Sequence, residues 1–307
     1  MKKRYISLVS KRNDVPIFLQ PWWLDAVVEK NSWSAVLVEE ERVMKACFTY
    51  ILKKKGPFKS LGMPHLTPYL GFWFYNRVKP EKLSELISML PKHDKFYMKM
   101  SYKLSSLQLD KHGYDHEELY TYVLKRIKKH DKLQSQFRPT LRSTIKKAEA
   151  KIRIFETNDV KTLFELCEMS FKRQSKVASF SFELIKKIYN AAMARNCCTI
   201  LMAEDDEGKI HAATMLVWDQ HSAYYLLNGV DPKYRSSGAN SLLMWDAIKY
   251  SSQHVDTFDF EGSMIPGVES FIKGFGAEKR EYALYTKTNS KIVGTVEALK
   301  KSLKKRF

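Results

Sequence analysis

The sequence predicts an α/β protein of two tandem domains, each a mixed, mostly antiparallel central sheet flanked by helices. Three observations lead there. A chain of 307 residues exceeds the size at which a single hydrophobic core usually stops growing, so it is expected to divide. Along it, apolar residues alternate between a period near two and a period near 3.6, the marks of strands and helices. Both halves then read in one order, strand, helix, meander, helix, strand, although no repeat is visible residue by residue.

In the first half a strand is expected at residues 5–9 and an amphipathic helix at 22–30. Strands follow at 34–39 and 43–52, where β-branched and aromatic residues dominate. Residues 62–71 carry too much Pro and Gly for regular structure. A helix at 80–90 and alternating strands at 95–99 and 118–124 complete the half. Between 131 and 151, Leu141, Ile145 and Ala148 recur at helical spacing while Arg138, Arg142, Lys146, Lys147 and Lys151 cover the remainder. This basic helix is read as a linker, with domains at 1–130 and 152–307. The second half reads as a strand at 152–155, helices at 160–170 and 182–195, and a meander of strands at 199–204, 210–218 and 222–230. A helix at 239–252, a strand at 257–260, a short helix at 268–273 and a strand at 281–286 end it.

Composition limits the function. At 44% apolar and 28% charged residues the chain is an ordinary globular protein, neither disordered nor fibrous. No apolar run reaches the ~18 residues of a membrane span, and a cytoplasmic protein is expected. The four cysteines lack metal or redox spacing and read as buried thiols, and no metal site is expected. The net charge is +18, and residues 1–150 hold most of it, with 29 Lys and Arg against 15 Asp and Glu. Such a field favours anionic partners: nucleic acid such as tRNA, a phosphate-bearing cofactor, or the anionic inner face of a membrane, at which the protein would sit peripherally.

The segment Arg235-Ser236-Ser237-Gly238-Ala239 lies between a strand and a helix. A helix start offers unpaired N–H groups and partial positive charge to a pyrophosphate, and Gly238 allows close approach. This turn resembles the acyl-CoA-binding turn of the GNAT superfamily, Q/R-x-x-G-x-G/A, with Asn240 in its last place. Leu242-Leu243-Met244-Trp245, Phe258-Asp259-Phe260-Glu261-Gly262 and Phe271-Ile272-Lys273-Gly274-Phe275-Gly276 follow in order. Together with the basic helix they resemble the Fem group of peptidoglycan-bridge aminoacyltransferases, which are tandem GNAT-like proteins. Where Fem enzymes usually carry Phe-Lys-x-Gly-Phe-Gly, Ile272 occupies the Lys position and Lys273 lies one residue, or ~100° of helix, further on.

The resemblance implies N-acyl transfer, which needs a base for the acceptor amine, donors to the carbonyl and an acid for the leaving group. Asp259 and Glu261, two apart on a strand, are expected to share a face, with Glu261 the preferred base. Tyr225, Ser263 and Lys273 are the further catalytic candidates. Asn228, Val230, Arg235, Ser236, Ser237, Gly238 and Ala239 would hold the cofactor, acetyl-CoA or a longer acyl-CoA. His65, Thr67 and Tyr69 fall in a loop that the resemblance places toward the acceptor, an amine on a small molecule or cell-wall precursor. Two alternatives stand beside this one: aminoacyl transfer from charged tRNA to a peptidoglycan precursor, and a basic binding module of the same fold without catalysis.

Overall fold

The computed structural model describes residues 1–10, 12–29, 31–104, 106–261 and 266–295. By contacts the chain divides into two units, residues 1–119 with 281–307, and residues 120–280.

The first unit opens with helices α1 (Lys2–Val9) and α2 (Pro21–Val27), followed by strands β1 (Trp33–Glu40), β2 (Val43–Lys55), β3 (Phe58–Gly62) and β4 (Phe72–Phe74). Helix α3 (Pro80–Ser88) and strand β5 (Lys95–Lys99) come next. β1, β2 and β3 form an antiparallel meander, β4 pairs with β2, and β5 joins β3 in parallel. Aromatic residues fill the core: Trp33, Phe48, Phe72, Trp73, Phe74 and Phe96 are all buried.

The expected strand at residues 5–9 is helical instead. Tyr5 and Val9 are both buried, and their spacing of four puts them on one face of α1. β3 and β4 are additional to the expectation, since Lys59 and the flanking Gly and Pro hide them.

The second unit takes in strand β6 (Asp115–Lys125) from residue 120 onward, helices α4 (His130–Ser135) and α5 (Pro139–Glu149), strand β7 (Ile152–Thr157), and helices α6 (Val160–Arg173) and α7 (Phe182–Met193). The meander β8 (Cys198–Asp205), β9 (Ile210–Trp218) and β10 (Ala223–Val230) precedes helix α8 (Ala239–Ser251), strand β11 (Thr257–Asp259) and helix α9 (Pro266–Lys273). β7 to β10 are antiparallel, β11 runs parallel to β10, and β6 pairs antiparallel with β11. α8 covers β8 and β9, and α5 packs on α8.

Two boundaries therefore differ from the sequence reading. The basic stretch at 131–151 is two helices inside the second unit, interrupted where Arg138, extended before Pro139, cannot be helical. The last strand, β12 (Glu278–Thr288), pairs with β5 from Leu284 onward, so residues from 281 belong with the first unit. All four cysteines are free, and burial pushes the thiols of Cys47 and Cys167 up to about 12 and that of Cys197 to about 11. Among the described residues no helix is long and apolar enough to cross a membrane.

Candidate active site

β10 and β11 share only two residue pairs, Ala223 with Phe258 and Tyr224 with Asp259. Beyond these, β10 continues to Val230 and, among the described residues, pairs only with β9. A shift of register between Tyr225 and Leu227 bends β10 at the start of this opening. The second edge of β10 thus presents main-chain groups to whatever enters between the diverging strands.

The chain then passes through the turn at 235–239. Arg235 and Ser236 are exposed, and Gly238 adopts φ +81° at the mouth of α8. A Cβ at Gly238 would lie 3.0 Å from Thr144 Cγ2 and 3.2 Å from Ala148 Cβ, so α5 packs directly beneath the turn. Of the first-turn N–H groups of α8, that of Ala239 donates to Ser237 Oγ and those of Ser241 and Leu242 to the Gly238 carbonyl, so the positive end of the helix dipole is what the turn presents. Asn240 is no idle departure: Asn228 Nδ2 donates to its Oδ1 at 3.1 Å, fastening the end of β10 to the first turn of α8. Val230 is differently engaged. Its N–H donates to Ser170 Oγ of α6 at 2.9 Å, and that hydroxyl lies 3.3 Å from its carbonyl.

Ser237 sits in a chain of contacts that sequence reasoning did not assemble. Its Oγ accepts from Ala239 N–H at 3.2 Å and lies 3.0 Å from His211 Nδ1, while His211 Nε2 is 2.9 Å from Asp205 Oδ2. N–H donation from Lys209 holds the Asp205 carboxyl below its usual range. Tyr234 stacks on the imidazole at 3.9 Å. These partners lie 6 and 26 residues from His211, and no local pattern connects them.

The carboxylates separate into two roles. β11 ends at Asp259, and Glu261 has φ +56°, so strand alternation does not extend to it and the shared face expected of the pair is not formed. Asp259 is buried; it accepts from Thr121 Oγ1 at 2.6 Å and from the Glu261 N–H at 2.9 Å. That second bond holds Glu261 in a left-handed conformation, a strain that side chains other than Gly, Asn and Asp seldom bear.

Tyr225 lies where β10 bends, and burial raises its hydroxyl well above the ordinary tyrosine range. Lys273 Nζ lies 2.7 Å from Glu269 Oε1, which also accepts from Tyr122 at 2.6 Å. This pairing holds Glu269 down to about 2 and raises Lys273. Ile272 is buried in the core, as the turn of the helix requires. Ser263 lies outside the described residues.

In the first unit, His65 is exposed, whereas Thr67 and Tyr69 are buried in the loop. Thr67 Oγ1 accepts from Trp23 Nε1 at 3.1 Å, and Tyr69 packs edge-on to Phe18. A cleft of about 510 Å³ opens between β7, β8 and α8, lined in part by Glu149, Glu156, Asp246 and Tyr250; none of the sequence-predicted site residues lines it.

Comparison with known proteins bears on the fold that carries these residues. Residues 135–271 match the family described as an acetyltransferase (GNAT) domain. No curated protein sequence matches the chain. Among solved structures, a crystal structure of FemX superposes with a TM-score of 0.70 at 14% identity, covering 92% of this chain and 95% of that one. The C-terminal domain assigned to a lysylphosphatidylglycerol synthetase from Agrobacterium fabrum gives 0.57 at 11% identity, over 98% and 95%. A tandem GNAT protein from the clavulanic acid biosynthesis pathway gives 0.53 at 10% identity, over 84% and 83%. Residues 135–271 thus match a GNAT domain, and the chain shares the fold of the FemX and tandem GNAT structures.

Proposed function

We propose that the protein is an N-acyltransferase that passes an acyl group from acyl-CoA to an amine acceptor. The observation that carries this reading is the opening between β10 and β11 beside the turn at 235–239. An acyl-CoA there would supply a thioester as the electrophile. Arg235, Ser236 and the positive end of the α8 dipole meet its pyrophosphate, and left-handed Gly238 keeps the backbone close. The β10 edge at the bend orients the acyl carbonyl.

Glu261, set at the end of β11 by its bond to Asp259, accepts the proton that the acceptor amine sheds. The amine nitrogen bonds to the acyl carbon, the carbon–sulfur bond breaks, and the leaving sulfur takes a proton, for which Tyr225 at the bend of β10 is the candidate donor. His65, exposed in its loop, is the acceptor-side candidate of the first unit. Isothermal titration with acetyl-CoA and longer acyl-CoAs tests the reading, and failure to bind any of them overturns it.

One observation favours a second donor. The basic helix α5 lies against the donor turn through Thr144 and Ala148, and its Lys146 and Lys147 are exposed. Aminoacyl transfer from charged tRNA to a peptidoglycan precursor, at the inner face of the membrane, would use those charges. That reading requires salt-dependent tRNA binding that weakens on changing both lysines to Glu. It fails if charged tRNA yields no aminoacyl product with any precursor.

A further inference from the structure

A strong concentration of positive charge in the first unit involves none of the residues given a role in the acyl-transfer site. β2 outlasts β1: Ile51 pairs with Trp33, and from Lys53 to Lys55 the strand pairs only with β3 among the described residues. This projecting hairpin end carries Lys53, Lys54, Lys55 and Lys59, all exposed, and Lys54 stands directly across from Lys59. Like charges directly opposite one another destabilise an antiparallel pair, so the fold bears a local cost there.

Asp94 gathers more cations to the same place. Its Oδ2 accepts from the Lys59 N–H at 2.7 Å and its carbonyl accepts from the Asn289 N–H at 2.8 Å. The exposed Lys92 and Lys291, each two residues from one of these contacts, join the cluster. Residues 51–62, 90–99 and 287–295 contain no carboxylate other than Asp94. Lys53 Nζ donates to a neutral group, the carbonyl of Met63 at 3.0 Å. Beside these lysines stand two exposed apolar residues, Pro57 at the hairpin tip and Ile292, which is 65% exposed.

We propose that this lysine-rich end of the first unit is a docking surface for an anionic lipid bilayer. Six lysines around one carboxylate supply the long-range attraction, at a strength set by the headgroup charge within a Debye length. Pro57 and Ile292 supply the short apolar insertion that a bilayer rewards and a nucleic-acid backbone does not. The cluster contains no arginine, the residue that stacks on bases and grips phosphates in pairs, which again favours lipid over nucleic acid. The sign continues in sequence, where Lys300, Lys301, Lys304, Lys305 and Arg306 face a single Glu297. The assignment stands whichever acyl donor the second unit uses.

Co-sedimentation of the full chain with vesicles tests it. Phosphatidylcholine vesicles containing phosphatidylglycerol are expected to bind the protein, vesicles of phosphatidylcholine alone are not, and added salt should release it. Lys54→Glu should weaken anionic-vesicle binding roughly tenfold, with Lys59→Glu behaving alike. Because Lys54→Glu creates an opposite-charge pair with Lys59, its melting temperature should hold or rise while lipid binding falls, the reverse of what a purely structural lysine would show. Lys187→Glu, an equal charge change on α7, should leave binding intact. The proposal is overturned if anionic vesicles are not bound, if Lys54→Glu and Lys59→Glu bind as before, if Lys187→Glu loses as much, or if tRNA is bound in place of vesicles.

Discussion

Two helix starts, one in each unit, show what separates a packing element from a candidate donor site. Helix α3 begins at Pro80 after Lys79, whose φ of −117° any residue can adopt, and Glu81 already sets a negative charge against the positive end of the helix. Helix α8 begins after Gly238 at φ +81°, has no acidic residue in its first turn, and carries exposed Arg235 and Ser236 just ahead. The first start has a carboxylate against its dipole; the second has only the Ser237 hydroxyl, which accepts from Ala239 N–H. Units built on one architecture can therefore differ in chemistry through a few residues at a strand end and the turn after it.

The largest expected effect tests the second unit alone. Glu261→Gln should lower kcat/KM for N-acyl transfer by about 10²- to 10⁴-fold while leaving the melting curve unchanged, as expected for removal of a base. Equal loss of stability would show that the carboxylate serves the fold instead. Next in size is the contrast between the two helix starts. Gly238→Ala should cost about 1–2 kcal/mol in denaturant unfolding and weaken acyl-CoA binding, because its Cβ meets Thr144 and Ala148 on a left-handed backbone. Lys79→Ala, at the matching place before α3, should change stability by less than about 0.5 kcal/mol.

A smaller effect separates Lys273 from the chemistry. Glu269 is held at about 2 by Lys273 and Tyr122, against an ordinary 4.5, so the stability it confers is present above pH 4.5 and lost as pH falls toward about 2. Glu269→Gln should flatten the fall in melting temperature across that window, and Lys273→Met should do the same while retaining turnover. The smallest effect is Glu81→Gln, which should cost about 0.3–0.5 kcal/mol through the helix dipole and leave donor binding untouched.

Much of this organisation could be read from the residues. The meander of β8, β9 and β10 and the helix after it follow from alternation of period two, the short polar turns and the glycine at the helix mouth. Other parts could not be read that way. Tyr5 and Val9 belong to residue types that favour strands, yet their spacing of four serves a helix, and tertiary burial decided between them. Arg138-Pro139 hides a break inside a stretch of uniform basic composition.

In the site, the spacing of Asp259 and Glu261 implied a common face, which holds only if the strand continues; the left-handed Glu261 that ends it depends on a bond to Asp259 that no periodicity encodes. The contacts of His211 with Asp205 and Ser237 join a hairpin turn to the turn at 235–239, and only the folded backbone brings them together.

On the acyl-CoA reading, the stretch of β10 edge between its pairs with β11 and the Val230 N–H held by Ser170 would also filter what the site can accept. A strand edge recognises amides: an extended arm carrying amide groups can continue the ladder, one hydrogen bond at a time, and is held in register. The pantetheine arm of an acyl-CoA carries two amides. The ribose end of a charged tRNA carries none along its backbone. On the acyl-CoA reading, the bend at Tyr225 would serve as a length gauge, setting how far an amide-bearing arm slides before its acyl carbon reaches Glu261.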